Sequence, residues 1–111
     1  MPYLKIKITG IANNDQPGFV FCSFRDASNQ EWNFIEKIPI VSKEDLDEKS
    51  IFPLQGIIPV TIKKVWANQK GKKIITIDAF EPLGIATLEK KSLFDIPSEQ
   101  IIYEETRKYC D

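Results

Sequence analysis

The chain has 111 residues, 42% of them apolar and 28% charged, and its 15 basic and 16 acidic side chains leave a net charge of −1. That is enough chain for a single hydrophobic core, and no apolar run approaches the roughly 18 residues that a helix needs to span a bilayer. With no histidine and only two cysteines, the sequence lacks an imidazole base, a Ser-His or Cys-His nucleophile pair and a complete zinc site. A non-enzymatic protein without cofactor or metal is the expectation, with carboxylate or lysine chemistry the only catalytic route left open.

The opening "MPYLKIKITGIANND" alternates apolar and charged residues where an export signal would be continuously apolar, so a cytoplasmic address is expected. The alternation predicts a half-buried strand with Leu4, Ile6 and Ile8 on one side and Tyr3, Lys5, Lys7 and Thr9 on the other. A turn follows at "NNDQPG". Next, "FVFCSFR" is nearly continuous in apolar residues and reads as a strand covered on both faces. Cys22 fits there as a small buried hydrophobe, and a bridge to Cys110 is disfavoured because two cysteines make no framework. After the turn "DASN", the segment "QEWNFIEKI" places Trp32, Phe34 and Ile38 on one core face and pairs back as a hairpin.

Pro39 and Pro53 bracket the longest irregular connection, "IPIVSKEDLDEKSIFPLQG", the kind of segment in which function tends to lie. Ser42 with Asp45 three residues on predicts a helical turn over Lys43 to Glu48. "IIPVTIKKVWA" reads as a strand with Ile58, Val60 and Ile62 inward, and a bulge near Lys63 and Lys64 would turn Val65 in and Trp66 out. "QKGK" makes the next turn, and "KIITIDAF" returns with Ile75, Ile77 and Ala79 on one face. "EPLG" is a further turn, followed by the short apolar runs "IATL" and "SLFDI". The end, "PSEQIIYEETRKYCD", reads as a short turn and then a strand, with a helical tail as the alternative. The fold class is therefore all-β: one domain, a small antiparallel sandwich or partly open barrel of about six to eight strands with one helical turn.

Two charged segments are the candidate sites. Glu44, Asp45, Asp47 and Glu48 surround Leu46 and suit either pairing with a basic partner or simple solvation and capping. Their spacing is not that of a calcium loop. Lys63, Lys64, Lys70, Lys72 and Lys73 surround Trp66. They suit a hairpin tip kept soluble by lysine, or a stacking platform for single-stranded nucleic acid. The even charge balance of the whole chain ranks the hairpin tip first. The carboxylate pairs Asp26 with Glu31 and Asp78 with Glu81 have no spacing that marks a catalytic cleft, and the glycines are scattered singly.

The run from Phe24 to Ile101 resembles a group of short, mostly uncharacterised bacterial all-β proteins. The likeness rests on Phe24 and Asp26, then Trp32, Phe34, Glu36, Lys37 and Pro39, then Phe52, Pro53 and Gly56, and finally Asp78 and Pro82. In size and style the chain is also similar to the immunity proteins encoded beside bacterial contact-dependent growth-inhibition toxins. That resemblance implies a protein that binds a delivered toxin domain, often a nuclease, and blocks its active site. The expected partner is then a cognate toxin domain; the resemblance identifies no residue, and the charge pattern picks out Glu44, Asp45, Asp47 and Glu48 as pairing carboxylates with Trp66 as an aromatic anchor. The alternative is a small barrel that binds single-stranded nucleic acid through Lys63, Lys64, Trp66, Lys70, Lys72 and Lys73.

Overall fold

Alternation along Tyr3–Asn13 builds the central strand, β1, which buries Leu4, Ile6 and Ile8 and turns Lys5 and Lys7 the other way. The computed structural model describes residues 1–13, 15, 18–81 and 84–103. Over these the chain forms eight strands in two antiparallel sheets that do not close into a barrel. The first sheet has the order β3-β2-β1-β4, from β2 (Phe19–Arg25), β3 (Glu31–Lys37) and β4 (Leu54–Pro59), with β8 (Ile101–Ile102) beside the start of β1. The second has the order β5-β6-β7, from β5 (Thr61–Ala67), β6 (Lys73–Asp78) and β7 (Leu93–Pro97).

Leu4, Ile8, Val20, Phe34 and Ile58 of the first sheet share one core with Ile75, Ile77, Phe94 and Ile96 of the second. Each fully buried side chain of this size contributes about 1.5–3 kcal/mol relative to exposure. Aromatic edges tie the sheets together: Phe94 meets Phe24 at 4.9 Å and Trp32 at 5.4 Å between ring centroids. Trp32 and Phe34 thus belong to the core side, as the alternation of β3 requires.

One turn design recurs at Asp26–Gln30, Asn68–Lys72 and Thr87–Lys91. In each, the first residue's N–H donates to the fifth residue's carbonyl, and its side-chain oxygen accepts the fifth residue's N–H at 3.0–3.1 Å. The fourth residue takes a positive φ, as Asn29 (62°), Gly71 (78°) and Lys90 (64°). Asp, Asn and Thr are the residues able to cap such a turn from its first position. Asp26 spends its second oxygen on Trp32 Nε1, at 2.8 Å, which explains that pair of residues in structural terms.

The chain changes sheets at Val60. What the sequence presents as one strand is two, β4 and β5, with buried Val60 at the corner and its N–H held by the Pro2 carbonyl at 3.1 Å. Gly56 permits the close approach of the helical turn to β4, since a Cβ there would sit 2.8 Å from the Val41 carbonyl oxygen.

Two expectations need correction. The helical turn, α1, is Ile38–Val41 rather than Lys43–Glu48. Pro39 is its second residue, in the first turn where a missing N–H is harmless, whereas Ser42 Oγ accepts from Glu44 N–H, a tighter local turn that competes with helix. Nor is β2 covered on both faces: Phe21 is 45% exposed and its neighbour across the register, Ile35, 41%. The apolar run "IATL" buries Ile85 without forming a strand. The C-terminal expectation of turn then strand is met by a 3-10 turn at Ser98–Gln100 followed by β8. The helical-tail alternative, Cys110 and parts of the turns at "NNDQPG" and "EPLG" lie outside the described residues.

Candidate functional site

Glu44, Asp45, Asp47 and Glu48 are all exposed on the connection between α1 and β4. The loop is nevertheless held from within. Asp47 N–H donates to Ser50 Oγ at 3.0 Å, Lys49 N–H to Asp47 Oδ1 at 2.8 Å, and Leu46 packs against the core. Asp47 is therefore partly committed to shaping the loop, while Glu44 and Asp45 place their carboxylates in solvent without an ion pair among the described residues.

The lysine segment lies on the second sheet. A register shift between Ile62 and Lys64 confirms the bulge, and beyond it Val65 pairs with Ile75 on the core-facing side while Trp66 pairs with Ile74 on the other. The expectation that Val65 turns in is not met: on β5, the edge strand of its sheet, Val65 remains 51% exposed. Trp66, though turned away from the core, is half-buried. Its Nε1 donates to Thr76 Oγ1 at 3.0 Å, and the Thr76 hydroxyl donates in turn to Asp95 Oδ1 at 2.6 Å. Opposite it, Ile74 is only 2% exposed without belonging to the main core cluster, so this outer face has a small apolar layer of its own.

The five lysines are exposed but differently engaged. Lys64 Nζ lies 5.6 Å from the Trp66 ring centroid, and Lys63 faces Glu81 at 4.0 Å. Lys70, Lys72 and Lys73 crowd the hairpin tip, next to a shallow concavity of about 410 Å³ lined by Trp66, Ala67, Asn68, Gln69 and Lys70. Trp66 and the four carboxylates lie on different elements, Trp66 on β5 and the carboxylates on the connection between α1 and β4. Thr76 and Asp95 were not candidates from sequence, because their meeting depends on the bulge in β5 and on the β6–β7 register.

Cys22 is 1% exposed and unpaired, and burial, with a smaller contribution from the nearby Glu36 charge, pushes its thiol up to about 12. A thiol so placed is an inert core residue. Among the described residues no cluster of three or more His, Cys, Asp or Glu is positioned to hold a metal ion, and no helix is long and apolar enough to cross a membrane. Comparisons with family models, with curated proteins and with solved structures find no match.

Proposed function

We propose that this chain acts by contact: it is a non-enzymatic binding protein that neutralises a basic partner, such as the nuclease domain of a delivered toxin, by laying its acidic loop across the partner's cationic cleft. The state of that loop carries the reading. Its carboxylates face water while Ser42, Asp47, Ser50 and Leu46 fix its backbone. A partner therefore meets charge that is already arranged, and little ordering entropy opposes association. The like-signed cluster also steers encounter. Glu44 and Asp45 make the pairing contacts, and Asp47 holds the loop that presents them.

The test is protection. The chain is co-expressed with a candidate toxin nuclease domain, and survival is compared with that of E44Q/D45N, which removes two charges and leaves the loop's internal hydrogen bonds in place. Loss of protection with retained expression is expected. Full protection by the variant would discard the acidic loop as the site.

A second reading is favoured by the concavity at the hairpin tip, where Trp66 and Lys70 share the lining and Lys72 and Lys73 follow on the same hairpin. There, single-stranded nucleic acid would stack on Trp66 and be held by Lys70, Lys72 and Lys73. It requires tryptophan fluorescence to be quenched by an oligonucleotide at low salt, with a steep loss of affinity as salt rises; an unquenched signal would dismiss it.

A further inference from the structure

The outward face of the first sheet contains a break. β8 and β2 pair with the same edge of β1, β8 at Tyr3 and Leu4 and β2 from Lys7 onward, so Lys5 and Ile6 have no strand beside them on that edge. A single side chain spans the interruption: Gln100 Nε2 donates to the Arg25 main-chain carbonyl at 2.8 Å. On β2 the small Ser23, 4% exposed, stands between the larger Phe21 and Arg25 on the same face, and the surface dips there. The result is a groove of about 440 Å³ whose walls include Lys5, Lys7, Ser23, Arg25, Gln55 and Gln100. That volume lies within the range of small-ligand sites.

Its charge is one-sided on a chain that is slightly acidic overall. Lys5, Lys7 and Arg25 face a single lining carboxylate, Glu31, which is 4.0 Å from the Arg25 guanidinium. Arg25 Nη1 also donates to the Asn29 carbonyl at 2.9 Å, which steadies its side chain over the groove. Lys5 and Lys7 have no ion-pair partner among the described residues. Alternate residues of one strand are about 7 Å apart, a span from which two ammonium groups can grip opposite sides of a phosphoryl or diphosphate group. The guanidinium on the next strand and the amides of Gln55 and Gln100 add directional donors. We propose that this groove is a binding site for a small ligand carrying a terminal phosphate or diphosphate, held by Lys5, Lys7 and Arg25. It lies on the sheet face rather than on the acidic loop, so its fate is independent of the proposed toxin contact.

The experiment is a titration of the full, isotope-labelled chain with pyrophosphate, and separately with citrate, followed by amide shifts in two-dimensional NMR at constant ionic strength. Saturable shifts centred on Lys5, Lys7, Ser23, Arg25 and Gln100 are expected, stronger for pyrophosphate than for citrate. The K5Q/K7Q variant, with spectral dispersion retained, is expected to bind about tenfold more weakly or worse. The single variant K7Q, at an exposed position, gives the same comparison with least disturbance to the sheet and is expected to show a smaller loss. Shifts that do not saturate, that fall equally on the lysines of the β5–β6 hairpin, that are as strong with citrate, or that survive both substitutions would overturn the proposal.

Discussion

The acidic loop and the lysine-rich hairpin look alike in sequence, each a dense run of one charge around a single large apolar residue, yet the fold treats them differently. In the hairpin the apolar residue is part of a ladder: Trp66 sits in register with Ile74, and its indole N–H is fixed through Thr76 to Asp95. In the loop, Leu46 is an anchor for backbone with no ladder, held otherwise by short side-chain bonds from Ser42, Asp47 and Ser50. Charge on a ladder is tied to the stability of a sheet, whereas charge on an anchored loop can vary without disturbing the fold. For that reason the loop is the better candidate for recognition and the hairpin the larger contributor to stability.

The largest expected effect must be separated from the hairpin before the two can be compared at high pH. The Cys22 thiol ionises near 9.0 when unfolded but only at about 12 in the fold. The unfolded chain therefore releases its proton first, and stability present below pH 9 falls as pH rises toward 12. By pH 11 the loss should reach about 2–3 kcal/mol. Denaturant unfolding of C22A in parallel with the parent chain should show a shallower alkaline decline. An identical decline in both would contradict the assignment to Cys22.

Next in size, Trp66→Ala should destabilise by about 2 kcal/mol, since it uncovers Ile74 and leaves the Thr76 hydroxyl without its indole donor. A loss below about 0.5 kcal/mol, the range of ordinary surface changes, would make the hairpin a mere solubilising tip. Leu46→Ala should cost about 1 kcal/mol, as expected for a partly buried side chain, and should raise amide exchange across residues 43–50 without affecting the hairpin. Smallest is E44Q/D45N/D47N/E48Q, expected to stay within about 0.5 kcal/mol of the parent chain in denaturant melts. Asn at position 47 retains the oxygen that accepts Lys49 N–H, so the loop keeps its shape.

Much of the fold could be read from period-two patterning. Leu4, Ile6 and Ile8, and likewise Ile75, Ile77 and Ala79, lie on the buried faces that alternation assigns them, and the bulge after Ile62 follows from the need to keep Lys64 out of the core. The helical turn was misplaced because Ser42 with Asp45 imitates a capping box, while the true turn carries a proline at its second residue, Pro39, where the helical tolerance of first-turn prolines is easily read as a break. The corner at Val60 left no mark, since a residue buried between two sheets and one buried in a single strand have the same hydropathy. Tertiary register hid the site chemistry: nothing local links Trp66 to Asp95, or Gln100 to Arg25, 75 residues apart. The charged segments were legible as segments, but which carboxylates point outward unpaired and which shape the loop depended on short side-chain bonds that composition does not encode.

The most direct test of contact through the acidic loop is the association rate between this chain and the toxin nuclease domain proposed as its partner, measured by stopped flow across a salt series for the parent and for E44Q/D45N/D47N/E48Q. Electrostatic steering by the loop should make the parent's rate fall steeply with salt and should slow the variant about tenfold or more at low salt. Equal rates for both chains, with the same salt dependence, would contradict it.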